Sequence, residues 1–513
     1  FPVERLLCRA RTFGFHLATL DVRQHAAVHR EVVGQGLALP DWKRRKPDAR
    51  RAILREALAR DRGPQGAFDA VGRRTLAVFE AMIQGRHKYG ERATGDYVVS
   101  GTEGPDDVLS VLLLARWADI TDRSVGEVPL DITPVVETTA ALEGAGEILK
   151  GLLAEETYRR HLVARGNLQT VLVGYSESNK ECGIGASRHL VYCAQAELMQ
   201  VAADAGIELV LFHGRGGTAS RGGGPLDRLV AGAPPGATHG RLRATEQGEG
   251  ISNSYGLRRI ALRTFEKSVF AILQDRAGPE DAAAVAEQHL PLMRRIAEAS
   301  RARYRALVYE NPGFQRYFRD VTPIDVIERM QIGGRVAHRD GSGIEALHAI
   351  PWVYAWTQSR HSLPGWFGVG TGLDTAAREL GAENLAKAWS AWPFFEHLLG
   401  DVEMELVRAD LQIAGHYDAL ATGPADGIIE IIRDEYELSR RWVTWIKGEI
   451  DLLDSRPQMQ RSVLLRAPYL DPVHLMQVDL LRRWRAGGRT DRELFDALLA
   501  SVTGITLGLQ ATG

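Results

Sequence analysis

The chain has 513 residues, 45% of them hydrophobic and 25% charged, with a formal net charge of −2. A near-neutral balance speaks against a general nucleic-acid binder, which carries a strong basic excess. No apolar run reaches the roughly 18–20 residues of a membrane helix. Three cysteines (Cys8, Cys182 and Cys193) cannot pair fully, and no Cys/His group has zinc spacing, so a reduced, cytoplasmic compartment is expected. The length predicts several domains or one large barrel with additions. The chain opens on Phe1, with no signal-peptide pattern after it, and reads as the interior of a domain. We expect it to be part of a longer protein.

In chain order, LATLDV (17–22), followed by Arg23, is the first candidate strand. PDDVLSVLLLARWADI (105–120) has a Pro-Asp start and helical periodicity. VPLDITPVVE (128–137) reads as a strand ending at Glu137. TAALEGAGEILKGLLAEETYRRHLVA reads as a helix, and LQTVLVGYSE (168–177) as a strand ending near Glu177. ASRHLVYCAQAELMQVAADAG is a further helix, leading to IELVLFHGR (207–215), a strand ending before Arg215. RLRATEQGE (241–249) is a fourth such strand. Helices alternating with short apolar strands imply parallel β/α units. Charge at C-terminal strand ends is where a β/α barrel builds its active site.

After about residue 265 long amphipathic stretches dominate. They are interrupted by a segment expected to be non-helical, IGGRVAHRDGSGIEALHAIPWVYAWTQSR (332–360). The last 140 or so residues read as a helical bundle. We therefore expect a barrel-forming region over 1–365 and a helical bundle over 366–513.

The densest chemical signal is FHGRGGTASRGGGP (212–225), with six glycines and two arginines. Gly-rich turns let backbone N–H groups form concave anion sites, and arginine adds a planar fork matching phosphate or carboxylate. The alternative is a disordered Arg-Gly linker. The pattern is not GxxxxGK[ST], so a nucleotide P-loop is not expected. Glu137 and Glu177 at neighbouring strand ends suit Mg²⁺ or Mn²⁺, which takes one or two carboxylates and fills its remaining positions with water and substrate oxygens. Lys180 follows Glu177 by three residues, in what reads as a polar turn. Arg23, Arg215, Arg335 and Lys180 facing one barrel mouth with two carboxylates call for a small, multiply charged anion and a divalent cation. That combination suggests phosphoryl or enolate chemistry.

These residues carry a resemblance. GYSESNKECG (174–183), FHGRGGTASRGGGP (212–225), RATEQGEGIS (243–252), IGGRVAHR (332–339), AIPWVYAWTQSR (349–360) and GLQATG (508–513) resemble the phosphoenolpyruvate carboxylase family, from the first residue to the last. FGFHLATLDVRQH (13–25) and PLDITPVVET (129–138) fit as well. The resemblance implies a helix-rich β/α (TIM-like) barrel with a large C-terminal α-helical region, usually in a homotetramer. It implies carboxylation of phosphoenolpyruvate by bicarbonate, giving oxaloacetate and phosphate with Mg²⁺ or Mn²⁺, a supply reaction for the tricarboxylic acid cycle. By matching position, Glu137 and Glu177 would hold the metal, and Arg23, Arg215 and Arg335 the phosphoryl group. Lys180 would assist at the bicarbonate side, with His213 beside the same site. Arg221, in a loop expected to be mobile, would serve an acidic-inhibitor site with Arg408 and Arg466.

The departures from the family pattern carry their own expectations. The family's Thr-Ala-His-Pro-Thr motif is nowhere in the chain, so the barrel is expected to be incomplete on its N-terminal side. Glu177 stands for an aspartate, and the extra methylene moves the carboxylate by about 1.5 Å. His348, counted with the substrate-binding residues, stands for an arginine. A histidine is mostly neutral near pH 7 and cannot grip bidentately, so weaker substrate binding that tightens toward pH 6 is expected. Arg408 stands for a lysine and Ala511 for an asparagine, so blunted acidic inhibition is expected. These changes leave a second reading open, a non-catalytic anion-binding or regulatory homologue.

Overall fold

The computed structural model describes residues 2–16, 18–60, 63–119, 128–278, 281–330 and 343–511. They form two compact units. One comprises Phe1–Gly174, Cys193–His213 and Arg241–Arg243; the other comprises Tyr175–Tyr192, Gly214–Gly240 and Ala244–Gly513.

Among its described residues the chain is a helix-rich α/β protein with a six-stranded sheet. Its strands are β1 (Leu20–His25), β2 (Thr94–Ser100), β3 (Ile132–Val136), β4 (Leu168–Gly174), β5 (Glu208–Gly214) and β6 (Arg243–Ala244). They lie in sequence order, and β1 to β4 pair as parallel neighbours. A doubly wound sheet reverses its order at a switch point; a strictly sequential order does not, and it is the order of a singly wound β/α barrel.

One side-chain layer in the first unit shows that this sheet curls. Arg243 on β6 donates to Asp96 on β2 at 2.6 Å and to both carboxylate oxygens of Asp21 on β1 at 2.9 and 3.0 Å. Thr133 on β3 donates to the same Asp96 oxygen, and the Arg243 guanidinium stacks 4.4 Å from the Phe212 ring of β5. In a flat sheet six strands wide the outer strands stand roughly 24 Å apart. An arginine side chain reaches only about 7 Å. The first and last strands therefore approach each other around a polar interior.

The helix Pro105–Ala118 backs β2 and β3, and twelve of its fourteen residues are buried. Helices apolar all round belong inside. Its two first-turn carboxylates are the exception, and both are paired: Asp106 with Arg50 and Asp107 with Arg30, each at 2.7 Å.

Several boundaries differ from expectation. β1 starts at Leu20, so Arg23 lies within the strand rather than after it. β2 was not foreseen, because TGDYVVS offers only a short apolar run; its residues are nevertheless almost all buried. β6 is two residues long, cut off by the helix Gly248–Tyr255. The single helix expected over 139–164 is three, Thr139–Glu143, Ala145–Leu153 and Glu156–Ala164, the first break falling at Gly144. The expected non-helical segment is helical over Ala349–Gln358.

Among its described residues the second unit is almost wholly helical. Its core joins the helices Ala282–Val308, Val369–Leu380 and Asp426–Lys447 through buried Ile296, Leu373 and Val443, with Trp352, Trp356, Trp366 and Trp484 buried in the same cluster.

Candidate active site

In the first unit Glu137 follows β3 directly. One guanidinium nitrogen of Arg23 lies 3.3 and 3.2 Å from its two carboxylate oxygens. Gly174, the last residue of β4, makes room for it: a Cβ there would come 2.4 Å from the Glu137 Cβ. Any side chain at 174 therefore displaces the glutamate. His213 is buried on β5.

In the second unit Glu177 and Lys180 lie on the helix Ser176–Cys182, so Lys180 is helical rather than in a turn. Glu177 is 8% exposed and Lys180 2%. The Lys180 ammonium stands 3.7 Å from the Glu177 carboxylate. It donates to the carbonyls of Ile344 (3.3 Å), Glu345 (3.2 Å) and Leu347. Three carbonyl acceptors and a carboxylate meet this buried ammonium, and the carbonyl bonds tie down the segment before His348. The backbone N–H of Ala349 donates to Glu177 Oε1 at 3.3 Å, and His348 Nδ1 stands 3.8 Å from the same oxygen. Glu177, Lys180 and His348 are thus brought together.

The glycine-rich loop has a defined conformation. Arg215, just past β5, is 8% exposed. It donates to the carbonyl of Gly224 at 2.7 Å, and its backbone N–H donates to Thr245 Oγ1. Among the described residues it forms no ion pair, and its Nε has no acceptor. Burial pushes its pKa down, meaning that this charge is poorly compensated where it sits. A buried guanidinium with no ion pair among the described residues is a site that favours an anion.

Arg221 is 5% exposed in the 3₁₀ turn Ala219–Arg221 and donates to Ser176 Oγ at 3.1 Å. The loop folds back on it: Gly216 N–H donates to the Arg221 carbonyl at 2.8 Å, and a Cβ on Gly216 would come 2.5 Å from the guanidinium carbon.

Arg408 and Arg466 come together around a cavity of about 210 Å³, joined by Arg360. Arg221 is not among the residues lining it. Burial, with Arg408 nearby, pushes the Arg466 pKa down, and burial does the same to Arg360. Arg408 is paired with Glu405 at 2.8 Å. Ala511 is buried in an apolar cluster with Leu470, Ile505 and Leu509.

Arg335 lies outside the described residues. The sequence reading missed Asn179, Arg188 and Arg360. Arg360 closes the AIPWVYAWTQSR motif and could have been noticed there. Asn179 lies inside the GYSESNKECG motif and could have been noticed there too; Arg188 carries no pattern of its own. Among the described residues no cluster of three or more His, Cys, Asp or Glu is placed to hold a metal. Glu137, beside Arg23, and Glu177, beside Lys180, nevertheless each offer hard carboxylate oxygens. Taken singly, each is the kind of donor that magnesium or manganese accepts alongside water and substrate oxygens.

Comparison with known proteins gives one consistent result. The model of the phosphoenolpyruvate carboxylase family matches residues 2–513. The chain is 43% identical over 515 residues to a phosphoenolpyruvate carboxylase of Xanthomonas oryzae pv. oryzae, covering 100% of this chain and 57% of the relative. It is 38% identical over 538 residues to that of Rhodothermus marinus (100% and 57%) and 37% identical over 516 residues to that of Azoarcus sp. (98% and 56%). The chain thus spans a little over half the length of these curated relatives.

Proposed function

This chain belongs to the phosphoenolpyruvate carboxylase family, and we propose that it serves the carboxylation of phosphoenolpyruvate by bicarbonate. A bicarbonate oxygen attacks phosphorus, and the bond from phosphorus to the enol oxygen breaks. The products are carboxyphosphate and the enolate of pyruvate. Carboxyphosphate releases CO₂ and phosphate, and the enolate carbon captures the CO₂ as oxaloacetate.

The observation that carries this reading is Arg215, a buried guanidinium without an ion pair among the described residues, held inside a glycine-rich loop. A preorganised cation stabilises phosphoryl charge without rearranging when that charge develops. Arg23 and Arg335 share the phosphoryl role. Lys180 orders the segment before His348 and supports the bicarbonate side, with His213 assigned to the same side and His348 to the substrate-binding residues. Glu137 and Glu177 are the carboxylates that would hold Mg²⁺ or Mn²⁺, which when bound supplies positive charge against the enolate oxygen. Arg408, Arg466 and Arg221 serve an acidic inhibitor; the cavity between the first two supports their part in it, while Arg221 stands outside its lining. The curled, sequential sheet supports a TIM-like barrel within 1–365, followed by a helical bundle over 366–513. A cytoplasmic homotetramer feeding the tricarboxylic acid cycle completes the proposal. No helix among the described residues is long and apolar enough to cross a membrane.

The test is oxaloacetate formation by the full-length protein, followed through malate dehydrogenase, beside the Arg215→Ala variant. Loss of one such group costs on the order of 100- to 1,000-fold in kcat. Retention of more than a tenth of the wild-type rate in Arg215→Ala would remove Arg215 from the phosphoryl site.

A further inference from the structure

The helix Ser176–Cys182 and the glycine-rich turn 219–222 are joined by more than chain proximity. Asn179, 1% exposed, donates from Nδ2 to the carbonyl of Ser220 at 2.6 Å and to that of Pro364 at 3.1 Å. Its Oδ1 has no donor among the described residues. The side chain is therefore held entirely as a donor of two bonds, and these must outweigh the cost of a buried acceptor. Arg188 places Nη2 at 2.7 Å from the carbonyl of Ala219 and at 2.7 Å from Asp401 Oδ2. Its guanidinium lies 5.2 Å from the centre of the Tyr175 ring. Gly222 has φ +80°, and a Cβ there would come 2.7 Å from that same ring.

We propose that Asn179 and Arg188 are positioning residues that latch the glycine-rich loop onto the helix carrying Glu177 and Lys180, a proposal that rests on the functional reading above. Two carbonyl oxygens that would repel an anion if turned toward it, those of Ala219 and Ser220, are instead consumed by donors from this helix and the one after it. Asp401, partly buried, holds the Arg188 guanidinium in place. The loop that presents Arg215 and Arg221 is thereby set in register with the side chains proposed to bind metal and substrate. Opening it requires both latch bonds to break.

The test uses the full-length protein and two readouts. Hydrogen exchange of the amides of residues 217–223 is measured without substrate. The KM for phosphoenolpyruvate and kcat are measured with it. In Asn179→Ala and in Arg188→Met, exchange in 217–223 accelerates about tenfold, and KM rises about tenfold with kcat changed less than threefold, the shift expected from losing one net hydrogen bond from the loop. Asn179→Asp, which turns an acceptor toward two carbonyls, exceeds Asn179→Ala in both readouts. Arg188→Lys, which keeps the charge facing Asp401 and one donor, recovers part of the loss. Unchanged exchange in 217–223, with only the thermal midpoint lowered, overturns the latch and leaves a packing role. If Asn179→Ala does not fold, Arg188→Met decides alone. If the wild-type protein forms no oxaloacetate, the functional reading fails, while the exchange measurement still decides the latch.

Discussion

Glu177 shows how one residue can be read two ways. From the sequence, the extra methylene relative to an aspartate looks like a displacement that could cost on the order of 100-fold in rate. In the structure the glutamate carboxylate is met by the Ala349 N–H at 3.3 Å and faces Lys180 at 3.7 Å and His348 at 3.8 Å. These partners are placed for the longer side chain. Shortening it draws the carboxylate away from all three by about 1.5 Å. Glu177→Asp is therefore expected to lower kcat, on the order of 100-fold, rather than raise it. Steady-state kinetics on the two proteins settle the point, and a tenfold gain in the variant would show that the methylene is a defect. The sequence named Glu177, Lys180 and His348 as separate candidates. Only their packing showed that Lys180 spends its donors on the segment just before His348, because three backbone carbonyls leave no mark in a residue pattern.

At the scale of elements, the strands with candidate chemistry at their ends were legible because each ends an apolar run with a charged or glycine-rich stretch. β2 was not, since its burial comes from neighbours on both sides rather than from its own composition. The helix Ala349–Gln358 was hidden by its proline and aromatic residues, which have poor helix propensity but are well accommodated in a buried core. The curl of the sheet was also beyond the sequence, for it rests on Arg243 reaching strands more than 140 residues earlier. That layer yields a stability prediction. Arg243→Met leaves Asp96, a buried carboxyl whose pKa burial already raises, without its counter-charge. The expected loss is about 3 kcal/mol, read from denaturant midpoints, with Arg243→Met/Asp96→Asn recovering part of it. An unchanged midpoint in the single variant would mean the bridge does not hold the strands together.

For the whole molecule, buried histidines set the response to acid. Burial lowers the pKa of His29 and His474 to about 3 and that of His161 to about 4. Below pH 6.5 the unfolded chain takes up protons that the folded protein refuses. Each histidine then costs about 1.4 kcal/mol per pH unit until its folded pKa is reached. Asp401 works the other way: burial raises its pKa to about 6, so between 3.8 and 6 the folded state binds a proton that the unfolded state releases. It offsets about one histidine. The urea midpoint should therefore fall between pH 7 and pH 5; a flat profile would contradict the neutral burial of these rings.

The function proposed for this chain is phosphoryl transfer to bicarbonate followed by carboxylation of the enolate. The most direct measurement supplies the full-length protein with phosphoenolpyruvate, Mg²⁺ and bicarbonate labelled with ¹⁸O at all three oxygens. One labelled oxygen is expected in the phosphate released and two in the new carboxylate of oxaloacetate. Unlabelled phosphate, or label in phosphate with no oxaloacetate formed, would contradict it.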